Sequence, residues 1–334
     1  MAAPPALLAI APSPFVTLQD TGRFGWQRFG VSRSGAMDPE ALAIANALLD
    51  NPPQTAALEF AHAGGRFEVA ATSCRIAVTG GRFAAFVDEA PLPAFTTATL
   101  TRGQTLRIGG SSDAVWGYLA VQGGFAVPPQ LGSLSTHARS GIGGYAGRAV
   151  RAGDVLPLAM DWVRAQPERS VRLAMAEDHA TIRVTLGPQD DYFTPAAIAT
   201  FRGSEFTVSN RMDRLGCWLD GPALAHARGY NIISDGIVPG CIQVPGSGSP
   251  VVLLRDAQPP GGYPKIATVI TSDLGGLAQS RPGRRVRFAV VSVAQSHEIR
   301  RAAMQRMAAV RAAISDVQRG QRTGLHRSLP LSSM

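Results

Sequence analysis

From residue 232 to residue 277 the chain reads IISDGIVPGCIQVPGSGSPVVLLRDAQPPGGYPKIATVITSDLGGL. Three apolar, β-branched runs, at 241–244, 250–254 and 266–271, are cut apart by Gly, Pro, Ser and Asp. Short apolar runs bounded by turn chemistry read as strands joined by tight turns. The same punctuation recurs upstream, with strand-like runs at 57–60, 65–70, 75–79, 82–87, 97–100, 105–108 and 115–121. That spacing is the spacing of a barrel or sandwich, not of alternating strands and helices. The 36 glycines and 24 prolines among 334 residues, well above average usage, supply the turns. A mostly β chain is expected.

Inside the 232–277 stretch, Asp256, Gln258, Gly261, Gly262, Tyr263 and Lys265 follow one another closely. Lys265 is the single lysine of the chain, and every other member of its 32 Lys and Arg residues is arginine. A position that needed only positive charge is served by arginine. An ammonium differs in being compact, in shifting its proton affinity and in sitting on a phosphate as a point charge. The adjacent glycines let a backbone or ligand approach closely. The competing account is a lysine surviving by chance on a solvated strand end.

A length of 334 residues exceeds what one core usually covers, so two domains are expected: residues 1–165, a linker at 166–181, a second domain at 182–292, and a C-terminal segment at 293–334. No apolar run approaches the roughly 18 to 20 residues of a membrane span. The N-terminus lacks the charged start of a signal peptide and reads as a flexible lead into a first strand at 15–18. A cytoplasmic protein with no membrane association is expected. Cys74, Cys217 and Cys241 are odd in number and far apart, which fits a reducing compartment. The six histidines form no HxH or HExxH pattern, so no metal site is argued. The net charge is +8. Its arginines carry no aromatic interleaving or nucleic-acid motif, so a solvated basic face is read before a nucleic-acid partner.

A loop after the first strand, QDTGRFGWQRFGVSRSGAMD, gathers three arginines, hydroxyls and glycines and makes a plausible anion cradle. It is neither a Walker A loop nor GxGxxG. The competing account is a packed surface loop. Asp38-Pro39-Glu40 then opens a helix, with Asp38 as N-cap, Pro39 at the first position and Asn51-Pro52-Pro53 ending it. A second Gly-rich loop spans 140–148. The pattern VTL followed by Gln-Asp occurs at 16–20 and again at 184–190, and a Leu-acid pair follows each, Leu58-Glu59 and Leu219-Asp220. These echoes suggest an internal duplication. Beyond residue 288, Ile299, Ala303, Met307, Val310, Ile314 and Val317 recur at three and four residues. They predict an amphipathic helix over 296–319, packed on the second domain or a partner, before fifteen disordered residues.

The motifs QDTGRFGWQRFGVSRSGAMD, GPQDDYF, SNRMDRLG, IISDGIVPGCIQVP and GGYPKIATVITSDL together resemble the family of the 5-oxoprolinase C subunit, also called KipA-like or allophanate hydrolase subunit 2-like. The same module forms part of the carboxyltransferase region of urea carboxylase. The resemblance covers roughly residues 14 to 292. It implies two tandem cyclophilin-like β-barrel domains with few short helices. It also implies a cytoplasmic component of an ATP-dependent amidohydrolase that opens 5-oxoproline to glutamate with A-like and B-like 5-oxoprolinase subunits as partners. ATP, with Mg, would then be bound in the assembled complex. Two alternatives stay open. One is a biotin-dependent carboxyltransferase component acting on urea or a related amide. The other is a KipA-like regulatory protein that relieves inhibition of a histidine kinase. The chain carries no biotin-carrier motif, so biotin would come from another protein.

Carried over motif by motif, the resemblance implies catalytic roles for Lys265, Gln258, Asp256 and Tyr263. It implies substrate or phosphate binding for Arg23, Arg28, Ser34, Asn210, Arg211, Asp235, Gly261 and Gly262. Asp38 matches the first motif too, but its N-cap role explains it fully. The chain departs from the family at Pro259-Pro260, where a threonine is general, and in a longer loop after Met212.

Overall fold

The computed structural model describes residues 4–173 and 180–317. The fold is mostly β. In the first half, a six-stranded sheet runs in the order Val155–Pro157, Ala6–Pro12, Gly65–Val69, Thr105–Ser111, Phe83–Val87 and Ala90–Leu92. A five-stranded sheet runs in the order Thr17–Gln19, Ala57–Ala61, Trp116–Val121, Ser73–Thr79 and Thr97–Thr101. Leu7, Phe67 and Leu106 from the first sheet meet Leu58, Ile76 and Leu119 from the second in one core. In the second half, seven strands close into a barrel: Thr181–Leu186, Lys265–Val269, Cys241–Gln243, Val251–Leu253, Gly216–Asp220, Phe206–Met212 and Arg285–Val290.

The N-terminal lead is a strand, not a flexible arm. Ala6–Pro12 pairs antiparallel with Gly65–Val69 and with Val155–Pro157. Its alternation turns Leu7 and Ala9 into the core, and its proline falls at the strand end, where a missing N–H costs least. The first strand read from the sequence shortens to Thr17–Gln19.

Helix α1, Pro39–Leu48, is capped by Asp38, whose Oδ1 accepts from the N–H groups of Glu40 at 3.2 Å and Ala41 at 3.1 Å. Helix α2, Pro195–Gly203, starts at Thr194, whose hydroxyl accepts from Ala197 N–H. Helix α3, Thr271–Ala278, was hidden in the sequence behind the apolar run that precedes it. Helix α4, Val293–Ala312, begins with a capping box between Ser292 and Gln295 and ends short of the expected boundary. Its Met307, Val310 and the following Ile314 lie against the cluster formed by α1, so this segment reaches back to the first half. The chain then places Ser315–Asp316 beside Arg169–Ser170. The fifteen residues expected to be disordered lie outside the described residues.

The stretch expected as a linker is fastened where it is described. Glu168 accepts from Thr99 N–H at 2.9 Å, and the carbonyl of Gln166 accepts from Arg75 at 2.6 Å. Residues 174–179 lie outside the described residues. The barrel core also includes Met37, Ala61, Val115 and Trp116 from the first half, so the two halves share apolar packing. Gln279, at the end of α3, stitches the same seam. Its side chain accepts from the N–H groups of Val115 and Trp116 and donates to Asp38 and to the Trp116 carbonyl. Among the described residues no helix is long and apolar enough to cross a membrane.

Candidate functional site

Two polar clusters lie next to each other along the segment from Leu254 to Lys265. The first is centred on Lys265, which opens a barrel strand and is only 1% exposed. Its Nζ donates to Asp235 Oδ2 at 2.6 Å and to the Gly236 carbonyl at 3.2 Å. Gln189 donates to the same Asp235 oxygen at 3.1 Å and accepts from Lys265 N–H. Asp235 itself pairs with Gly261 across a two-residue ladder, and the Gly262 carbonyl accepts from Ile232 N–H. A side chain at Gly261 would meet Gln243 Nε2 at 2.5 Å and Ile237 Cδ1 at 2.9 Å, so both side chains would have to shift to admit one. The Lys265 hydrogen bond, with help from Gly236 N–H and Gln189, holds the Asp235 carboxyl at about 2. Lysine is thus a buried stem whose charged end reaches a half-exposed carboxylate.

The second cluster was largely missed from the sequence. Arg214 grips both oxygens of Asp256, from Nε at 2.8 Å and Nη2 at 2.9 Å, the bidentate geometry that suits a guanidinium best. The same guanidinium donates to Glu59 and to the carbonyl of Gly35. Glu59 sits in the middle of the buried strand Ala57–Ala61 and is 0% exposed. Its other oxygen accepts from Met37 N–H at 2.7 Å and from the Tyr118 hydroxyl at 2.8 Å. That hydroxyl in turn accepts from Asp38 N–H. Burial pushes the Glu59 carboxyl above the usual carboxylate range, against the pull of Arg214. Burial works against the Arg214 charge as well, and Asp256 and Glu59 together outweigh it, holding the guanidinium above its ordinary value. The legible signal was a carboxylate inside an otherwise apolar strand, since such a charge must find a partner.

The expected site residues divide accordingly. Lys265, Asp235, Gly261, Gly262 and Tyr263 meet in the first cluster, with the Tyr263 ring partly exposed and its carbonyl accepting from Gln243. Asp256 belongs to the second cluster, where both of its oxygens are occupied. Arg23 and Ser34 are buried near it, on the loop whose Ser32 hydroxyl donates to the Ala257 carbonyl. Gln258 is exposed at the junction. Arg28 is exposed beside the Phe29 ring, and Arg211 is exposed beside the Trp218 ring, with its N–H donating to Ser209. Asn210, next to Arg211, is likewise exposed. Neither Arg28 nor the Asn210–Arg211 pair makes a hydrogen bond or ion pair with either cluster among the described residues. Asp38 acts as the N-cap and also accepts from Gln279, so its structural role is complete.

Residues 29–290 match the family model described as carboxyltransferase domain, subdomain A and B. The chain is 36% identical over 285 residues to the 5-oxoprolinase C subunit of Haemophilus influenzae, covering 85% of this chain and 91% of that protein. It is 34% identical over 294 residues to the 5-oxoprolinase C subunit of Escherichia coli, covering 88% and 94%. Among solved structures, the urea carboxylase of Kluyveromyces lactis superposes with a TM-score of 0.85 at 27% identity, over 95% of this chain and 30% of that one. With most of its length matched by the family model and by relatives above 30% identity, the chain belongs to the carboxyltransferase-domain family built of subdomains A and B.

Proposed function

We propose that the chain is the C component of an ATP-dependent 5-oxoprolinase-type amidohydrolase, opening 5-oxo-L-proline to L-glutamate together with A-like and B-like subunits. The observation that carries this reading is likeness: the chain is 36% and 34% identical to two 5-oxoprolinase C subunits, against 27% to the urea carboxylase. A ring lactam is a poor electrophile, and a phosphoryl-activated amide needs oriented cations and donors more than a strong nucleophile. The residues present suit that demand in part. Arg23, Arg33 and Ser34 leave buried polar atoms without partners, and these atoms suit a single oxyanion. Bound ATP would supply the activating phosphoryl group. No Walker A loop is present in the sequence, and the nucleotide is assigned to the assembled complex.

In this reading Gln258 and Tyr263 face the ligand, Lys265 neutralises charge after exchanging its contact with Asp235, and Asp256 positions Arg214. The test is glutamate release from 5-oxoproline with ATP, comparing the chain alone with the chain plus its co-purifying partners. Release is expected only with partners, with ADP formed in step, and Lys265→Ala is expected to abolish it in a complex that still assembles. An assembled complex inert toward 5-oxoproline overturns the reading.

A second reading, carboxyl transfer from biotin carried by another protein to urea or a related amide, is favoured by the match to the carboxyltransferase model and the TM-score of 0.85. Carboxylation of urea dependent on biotin and bicarbonate would select it.

A further inference from the structure

Around the second cluster stand arginines that its two acids, Asp256 and Glu59, do not bond. Arg214 already occupies both Asp256 oxygens and one Glu59 oxygen. Arg255, the residue before Asp256, is 8% exposed and has no hydrogen bond or ion pair among the described residues. Burial, with the nearby Arg33 charge adding to it, lowers its guanidinium to about 10. Arg33 stacks on the Phe24 ring at 3.9 Å and buries an Nε without an acceptor. Burial lowers Arg33 as well, and Arg300 of α4 adds to that shift. Next to it, Ser34 is fully buried with an unpartnered hydroxyl and a left-handed backbone, φ +53°. A serine held there is strained, and such strain collects at binding sites.

Arg23 completes the set. Its Nε and Nη2 are pinned to the carbonyls of Gln130 and Ser135, while its buried Nη1 has no acceptor. The connectivity holds these groups at one junction. The Arg214 guanidinium touches both Gly35, which follows Ser34, and Asp256, which follows Arg255. The Arg23 N–H donates to the Arg33 carbonyl, and the Ser32 hydroxyl donates to the Ala257 carbonyl. Several buried donors without acceptors are expensive to keep unless something arrives to accept from them.

The geometry points to an oxyanion site at this junction, in which Arg255, Arg33, Arg23 and Ser34 donate to the carboxylate of a small substrate. Arg255 and Arg33 supply the charge, and Arg23 and Ser34 fix the orientation. The identity of the anion as the ring carboxylate of 5-oxoproline rests on the amidohydrolase reading; the site itself rests on the unpartnered donors. A phosphoryl group offers the same chemistry from a second source.

Binding of 5-oxo-L-proline and, separately, of inorganic phosphate to the full chain is measured by titration calorimetry and by thermal melting. Arg255→Gln and Arg33→Gln are each expected to weaken binding by about 10-fold or more, the loss of one charge-assisted contact. Arg255→Gln is also expected to raise the melting temperature without ligand, because a buried unpaired charge is removed, and to lose the rise that ligand produces. Binding of 5-oxoproline with none of phosphate selects the carboxylate, and the reverse selects a phosphoryl group while keeping the site. Wild-type affinity in both variants overturns the proposal. So does a wild-type chain that binds neither anion, or an Arg255→Gln chain that melts lower and binds normally. These readouts use the isolated chain without turnover, so they fail independently of the catalytic assay.

Discussion

The two clusters solve the problem of a buried charge in opposite ways. Lys265 keeps its stem inside the barrel and sends its ammonium to Asp235, whose side chain is 51% exposed and remains hydrated. Glu59 and Arg214 are drawn from the two halves of the chain; the Glu59 side chain is fully buried and that of Arg214 is 15% exposed, and Met37 N–H and the Tyr118 hydroxyl complete the Glu59 contacts. An exposed partner limits what the lysine link contributes. A desolvated pair is different: forming it brings little net gain, yet breaking it leaves a charge that nothing else can satisfy. The lysine link therefore trims a loop, whereas the glutamate–arginine network joins the two halves alongside their shared apolar packing and Gln279.

The most severe test of that contrast is Glu59→Ala. It strands the Arg214 Nη1, the Tyr118 hydroxyl and the Met37 N–H at once. The expected loss is about 3–5 kcal/mol, the usual cost of removing one member of a buried pair, read by urea unfolding. A loss below about 1 kcal/mol would mean that water enters the seam.

Gly143→Ala reaches the same region from the second Gly-rich loop. Its Cβ would fall 2.1 Å from the Ser135 carbonyl oxygen and 2.4 Å from Arg23 Nη2, at a φ of +74° that disfavours a side chain. Forcing both apart is expected to cost about 1–3 kcal/mol and to weaken oxyanion binding through Arg23. Unchanged stability and affinity would show that the loop simply shifts.

Lys265→Met retains the buried stem and deletes only the ammonium. The expected cost is smaller, about 1–2 kcal/mol, because Asp235 turns to solvent. A loss as large as that of Glu59→Ala would erase the distinction between the clusters.

What was legible follows the same physics. Local rules found most of the strands, though not Ala6–Pro12, and they found the Asp38 cap and the first helix, since these depend on neighbouring residues. The motifs pointed to the 256–265 segment and the Arg23–Ser34 loop, which the structure joins through the Ser32 hydroxyl and the Ala257 carbonyl. Glu59 was seen only as half of a repeated Leu-acid pair, and Arg214 only as part of an unusually long loop, because the two partners lie 155 residues apart in sequence. Periodicity carries no record of such pairings. Helix α4 was found by its spacing, and it does touch α3 of the second half, but its packing on α1 of the first half was not foreseen, because an apolar stripe does not name its partner.

Acid separates the clusters by sign. The Asp235 carboxyl lies at about 2 in the folded chain against an ordinary 3.8, chiefly through Lys265. A depressed carboxyl stabilises the fold above its ordinary value, and the contribution fades as pH falls through about 2. Glu59 is shifted upward by burial, so the folded chain takes up that proton at higher pH than the unfolded chain does. Its titration therefore favours the folded state on acidification. Comparing wild type with Asp235→Asn from about pH 6 to about pH 3 isolates the first effect. The stability gap is expected to be widest at the upper end of that range and to narrow toward the lower end. Added salt is expected to shrink it throughout, because the carboxylate is exposed. A gap that keeps its size over this range would mean that the Asp235 carboxyl is not depressed in the folded chain, and that neither Lys265 nor the Gly236 and Gln189 hydrogen bonds favour its charged form.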